Sequence, residues 1–225
     1  MSCKYSLLAN RQFTLCNVKS SKLLTAMTHP ECERLDPRIR RTRRLLQDAL
    51  RRLLEEKDFD KINIQDIAEA ATLNRGTFYA HYPDKFALLE EWIRVSFLDH
   101  LAARNVVFDG TCSSAFQAII LAVCDYLAEL QKSRSSQQHQ FAPYVEATVI
   151  NELQKIFCAG FEKHPVPRGV PEALIAATAS WAVYGAAKQW VNSPQRTPAE
   201  EFVKIAVELV RPILTFSGSA APASA

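Results

Sequence analysis

Apolar residues recur at helical spacing from about residue 37 almost to the end of this chain. In the first periodic stretch Ile39, Leu46, Leu50 and Leu53 stand seven, four and three positions apart, one face of a helix. Asp36-Pro37 suits its start, because Asp accepts from free backbone N–H groups and Pro has no N–H to waste at the first helical position. The helix should end near Lys57, with Phe59 and Ile62 folding back into the core. A short second helix is expected over 64–71, capped by Asn63 and burying Ile64, Ile67 and Ala71. Ala68, one turn after Ile64, lets another helix cross closely. A tight turn at Thr72-Leu73 leads to a third helix over 75–81, capped by Asn74, with Leu73, Phe78 and Tyr82 turned inward.

The pattern then lengthens. A helix over 85–104 carries Phe86, Leu89, Ile93, Phe97 and Leu101, and one over 114–132 carries Phe116, Ile119, Ile120, Val123, Leu127 and Leu130. A polar loop at 133–140 precedes a helix over 143–163, and HPVPRGVP forms the next loop. The last two helices, 171–191 and 198–214, differ in kind. The first is rich in alanine, and the second is amphipathic through Phe202, Ile205, Leu209 and Ile213. Glycine is scarce, at six residues, and no strand-like alternation is bounded by Gly turns, so the chain reads as all-α.

Two of these helices are too short to offset their own nucleation cost, so neighbours must hold them. That design makes sense if the third must protrude: in a helix-turn-helix one helix braces and the next enters the DNA major groove by its N-terminal half. With Phe78 and Tyr82 inward, a rotation of about 100° per residue turns Gly76 and Ala80 outward, flanked by Thr77 and Tyr79. Gly76 permits close backbone approach, and Thr77 and Tyr79 offer hydroxyls to phosphate or base edges. Ala80 suits a thymine methyl, and Arg75 a guanine edge or a phosphate. His81 is a weaker candidate, being equally suited to a structural role. The start of the next helix, with Lys85, suits a phosphate. Tyr79 and Tyr82 also have a plain packing alternative.

Charge changes the picture only locally. The net charge is +3, but residues 38–52 hold seven arginines and one acid, Asp48. Arg41 and Arg44 in this stretch are candidates for DNA phosphates, and a merely solvated face is the alternative. Six cysteines show no C-x-x-C and no zinc-like pairing with histidine, so reduced, mostly buried thiols are expected, with Cys124 or Cys158 a remote redox candidate. No catalytic motif, metal cluster or cofactor loop stands out, and no apolar stretch looks long and charge-free enough to span a bilayer. Residues 1–34 carry no sustained period and are read as a disordered arm or as sequence upstream of a start at Met27; an amphipathic targeting peptide is the runner-up. The tail 217–225 is read as disordered.

The stretch DKINIQDIAEAATLNRGTFYAHYPDKFALLEEWI, residues 60–93, resembles the TetR family of bacterial transcriptional regulators. Ile67, Ala68, Ala71, Arg75, Gly76, Thr77, Phe78, Tyr79, His81, Tyr82, Asp84, Lys85, Leu88 and Leu89 stand in register with the family pattern. One residue departs from it: the turn usually begins with Gly, and here it is Thr72. The resemblance implies an N-terminal three-helix DNA-binding domain over 36–84 and a larger helical ligand-binding and dimerisation domain over 85–216. It implies a cytoplasmic homodimer on a palindromic double-stranded DNA operator, released by a small-molecule effector of unknown identity. The last two helices would form the dimer interface; an ordinary intramolecular hairpin is the alternative. Phe97, Tyr126, Tyr144, Phe157, Trp181 and Tyr184 are candidate pocket residues, with His100, Asp125, Glu146 and Lys188 as polar groups nearby, and core packing is the plain alternative for each. A ligand-responsive repressor is therefore the leading reading. A regulator whose C-terminal half binds a protein comes second, and an all-helical enzyme third.

Overall fold

The computed structural model describes residues 36–110, 112–132, 138–164 and 169–216. The expectations for 1–34 and 217–225 lie outside these residues. The helices are α1 (Pro37–Glu56), α2 (Ile64–Ala70), α3 (Arg75–Tyr79), α4 (Lys85–Ala103), α5 (Ser113–Lys132), α6 (Gln138–Lys163), α7 (Glu172–Asn192) and α8 (Ala199–Leu214), with a 3-10 turn at Phe59–Lys61 after α1. Among the described residues there is no strand.

The helix starts follow from their caps. Asp36 accepts from the Arg38 amide at 2.8 Å ahead of Pro37. Asn63 and Asp66 close a reciprocal capping box on α2, each side chain accepting from the other's backbone N–H at 2.9 Å. Lys57 adds an ion pair to Asp66 at 2.8 Å, and the Asn63 amide and this ammonium hold the Asp66 carboxyl below the usual carboxylate range. The end of α2 is also built. The Leu73 amide returns to the Ala68 carbonyl and the Thr72 amide to that of Glu69, with Thr72 at φ 56°. This is a Schellman cap with Thr in the left-handed position that favours glycine. Asn105, at φ 51°, ends α4 in the same way.

α4 joins the two halves. Leu88, Leu89 and Ile93 in its first half and Phe97 and Leu101 in its second are all buried. α1 packs on α2 and α4, whereas α5 to α8 pack on one another and on the body of α4. A close approach fixes one corner of this body: a Cβ on Gly160 of α6 would lie 2.6 Å from the Phe108 ring.

Four expectations need correction. α6 begins at Gln138 rather than Pro143, which sits inside the helix. Phe141, before the proline, is buried, so packing carries the helix through the lost donor. Phe86 was placed on the buried stripe of α4 but is 41% exposed. On α8 the stripe through Ile205 and Leu209 faces outward, and Val203, Ala206, Val207, Val210 and Leu214 form the inner face. α8 thus has two apolar faces, and the larger side chains mark the outer one. Finally, α5 is by length and composition apolar enough to cross a bilayer, with mean hydropathy 1.3. Half of that window is buried in the fold, which is what a core helix packed against α4, α7 and α8 requires.

Candidate nucleic-acid interface

α3 is only five residues long and is held by one inward side chain, Phe78, which is fully buried against Tyr82 with ring centroids 6.0 Å apart. Arg75, Gly76, Tyr79 and Ala80 are exposed, and Thr77 is half-buried. The rotation inferred from the sequence therefore matches the observed orientation. The helix is shorter than expected, because Ala80 already caps it and His81-Tyr82 close the turn onto the Phe78 carbonyl.

Hydrogen bonds settle what the outward groups can offer. The Thr77 hydroxyl donates to the Asn74 cap oxygen at 3.0 Å, so toward solvent it presents lone pairs, an acceptor for an exocyclic amine. The Tyr79 hydroxyl accepts from Arg75 Nη2 at 3.0 Å, so its own hydrogen is free for a phosphate or base acceptor. The Arg75 guanidinium also lies 5.4 Å from the Tyr79 ring centroid, which preorganises an otherwise floppy side chain. Gly76 is open toward solvent, and a Cβ there would meet only the Asn74 cap oxygen, at 3.2 Å.

Lys85 does something other than what the sequence suggests. Its ammonium donates to the carbonyls of Phe59 at 2.9 Å, Asp60 at 3.2 Å and Ile62 at 2.8 Å. All three of its donors are taken, so it ties the end of the 3-10 turn to the start of α4 instead of extending to a phosphate.

On α1, Arg41 and Arg44 are exposed, and among the described residues neither has a carboxylate within ion-pair reach, whereas Arg51 pairs with Glu55 at 3.3 Å. Arg52 turns away to cap the Ala70 carbonyl at 2.6 Å. Sequence reasoning passed over Arg43. It stands between Ile39 and Leu46 on the buried stripe, and an arginine on a core-facing position is itself a signal. Its guanidinium lies over the Tyr82 ring, 5.5 Å from the centroid. His81 is half-buried beside it; burial and then the Arg43 charge push the imidazole below its ordinary value.

A family model described as bacterial regulatory proteins, tetR family, matches residues 46–92, which span α1 from Leu46 through α2 and α3 into α4. The chain belongs to the TetR family. A curated relative in Bacillus subtilis (strain 168), the uncharacterized HTH-type transcriptional regulator YxbF, is 41% identical over 93 residues, 40% of this chain. That match spans about a quarter, 24%, of the relative's own length. Among solved structures, a TetR regulator from Streptococcus agalactiae 2603V is 21% identical and covers 77% of this chain and 95% of its own, with TM-score 0.47. A tetR-family regulator from Streptomyces coelicolor is 20% identical over 76% of this chain and 81% of its own, with TM-score 0.49. Overlaps this loose place no residue of the larger domain.

The TetR-type DNA-binding domain sits at one end of α4, and the pocket candidates fall into separate groups along the rest. Phe97, His100 and Tyr126 cluster, with the Tyr126 ring 5.5 Å from Phe97 and 5.3 Å from His100. Tyr184 is near enough to act on Tyr126 electrostatically, and burial pushes its own hydroxyl up to about 12. Phe157 instead packs with Phe108 and Phe116. Tyr144 stacks on Phe86 at the seam with the DNA-binding domain, 5.8 Å between centroids. Trp181 is 55% exposed on the outer face of α7 and lines no interior. Of the polar groups, His100 spans the Ser96 carbonyl and Glu129, Asp125 pairs with Arg104 and Glu146 with Lys188. The hydroxyls of Tyr126 and Thr148 are buried without a hydrogen-bond partner. Burial raises the Cys124 thiol to about 12, which makes it unreactive, and raises Cys158 as well. Among the described residues no group of three His, Cys, Asp or Glu is placed to hold a metal.

Proposed function

We propose that this TetR-family chain is a homodimeric DNA-binding transcriptional regulator, acting as a repressor that a small molecule releases from a palindromic operator. The observation that carries the DNA-binding part is the outward presentation of Arg75, Gly76, Thr77, Tyr79 and Ala80 on a helix anchored by Phe78. Thr77 as acceptor, Tyr79 as donor and Arg75 as a preorganised cation supply the mix of groups that base edges and flanking phosphates require. Arg41 and Arg44 add unpaired charge for the backbone. His81 and Lys85 act here by holding the ends of the motif.

Two-fold pairing follows from geometry. Recognition helices reading successive major grooves must stand about 34–36 Å apart, which two copies related by symmetry provide. The outer apolar face of α7 and α8, with Leu174, Trp181, Ile205, Leu209 and Phe216 exposed, is the surface that supports pairing. Effector binding is supported by the unpartnered hydroxyls of Tyr126 and Thr148, since a buried hydroxyl left alone costs about 1–3 kcal/mol that a ligand group offsets. A ligand that binds one spacing of the helices better shifts the protein toward it.

The test is selection of duplexes from a random-sequence library by the purified protein, followed by binding measurements on the selected sequence. Enrichment of a palindrome, with Thr77→Ala and Tyr79→Ala each weakening binding about tenfold or more, is expected. Gly76→Ala should fold and lose affinity, since its extra methyl faces the DNA. Enrichment of no sequence, or full affinity in all three variants, would remove the reading. A thermal-shift screen of metabolites that finds nothing, beside capture of a specific protein, would move the larger domain to protein recognition.

A further inference from the structure

Arg43 is a cation in an unusual place. It interrupts the stripe of Ile39, Leu46 and Leu50 by which α1 faces the core. Its Nε is sealed from solvent with no hydrogen-bond partner, and among the described residues no carboxylate pairs with it. The groups around it do not compensate. Tyr82, whose ring it covers, is neutral, because burial pushes the phenol up to about 12. Glu91, the acid that acts on Tyr82, is already held by Arg94 at 2.7 Å. His81 is a second potential cation, and each charge disfavours the other. A partly buried guanidinium is normally matched by an anion, and here the fold provides none.

The position says which anion. Tyr82 and His81 directly follow α3, so Arg43 stands at the C-terminal side of the recognition helix, away from the groups that face base edges. We infer that Arg43 is a phosphate anchor, its guanidinium held flat by Tyr82 to take one phosphodiester of the duplex in side-on, two-bond geometry through Nε and a terminal nitrogen. This rests on the DNA-binding reading above and adds to it a contact that carries no sequence information. The Tyr82 ring fixes the fork before DNA arrives, so little side-chain freedom is lost on binding.

The test compares the full-length protein with Arg43→Gln and Arg43→Lys by fluorescence anisotropy, on the selected duplex and on an unrelated duplex, across a salt series. Circular dichroism melts confirm folding. Arg43→Gln is expected to lose about tenfold on both duplexes and to flatten the plot of log affinity against log salt by about 0.9. Arg43→Lys keeps the buried stem and the charge, so it is expected to retain the slope and lose part of the affinity, and it remains readable if the Gln variant folds poorly. A folded Arg43→Gln with unchanged affinity and slope overturns the anchor. So does a loss confined to the selected sequence, which would make Arg43 a base reader, or an Arg43→Lys variant as tight as the parent when the Gln variant is unfolded. Failure of the parent to bind any duplex overturns the DNA-binding reading itself, whereas weakening by Thr77→Ala and Tyr79→Ala with a neutral Arg43→Gln sinks only the anchor.

Discussion

The Lys85 ammonium sits 4.6 Å from the centroid of the Phe59 ring while donating to the Phe59 carbonyl at 2.9 Å. One side chain thus holds both the face and the backbone of the turn that follows α1. Replacing it by alanine leaves the carbonyls of Phe59 and Ile62 short of a donor next to a buried ring. Lys85→Ala is expected to destabilise the protein by about 1–3 kcal/mol, seen as a lower midpoint in urea. Arginine has a different fork and should not fully rescue it. An unchanged midpoint together with weaker DNA binding would return Lys85 to the role of phosphate donor.

Phe86 links this turn to the larger domain. It meets Phe59 edge-on at 5.4 Å and stacks on Tyr144 of α6 at 5.8 Å, although 41% of its surface stays exposed. Apart from α4 itself, this stack is where the DNA-binding domain touches the body through named aromatic groups. A double-mutant cycle on Phe86→Ala and Tyr144→Ala should give a coupling of about 0.5–1.5 kcal/mol in urea unfolding. Strict additivity would mean the two rings do not support each other.

Thr72 occupies the left-handed position of the Schellman cap, at φ 56°. A β-branched side chain there carries a cost on the order of 1 kcal/mol or more, partly offset by its hydroxyl bond to the Ala71 carbonyl at 2.6 Å. Thr72→Gly is therefore expected to be neutral or stabilising by up to about 1 kcal/mol. A clear fall in melting temperature would show that the hydroxyl bond outweighs the strain.

Thr72 also shows what was legible in advance. Its strain could be anticipated because a helix, a turn and a second cap follow one another with no slack, which leaves a single conformation for the joining residue. The caps at Asp36, Asn63 and Asn74 and the outward set on α3 were legible for the same reason: they depend on neighbours in sequence. What was not legible depends on distant partners. Lys85 looks like a surface cation until the carbonyls of Phe59, Asp60 and Ile62 are placed around it. Trp181 and Tyr144 look like pocket aromatics until the packing of α7 and α6 turns one to the outside and the other to the seam. On α8 the bulkier stripe was taken as the natural face, yet contact with α5 and α7 favours the smaller residues between.

That inversion on α8 makes the last prediction. Leu209 is 71% exposed and Ile205 64%, so neither contributes much to the fold of a single chain. Leu209→Glu should leave the unfolding midpoint of the monomer almost unchanged. In a two-fold assembly that buries this face, each subunit loses a leucine worth about 1.5–3 kcal/mol and gains a charge facing its own symmetry mate. Self-association should then weaken on the order of 100-fold or more, read as a shift from dimer to monomer in sedimentation velocity at micromolar concentration. Affinity for a palindromic duplex should fall with it, since one copy meets only one half-site. A Leu209→Glu protein that sediments as the parent does, and binds as tightly, would place the pairing surface elsewhere.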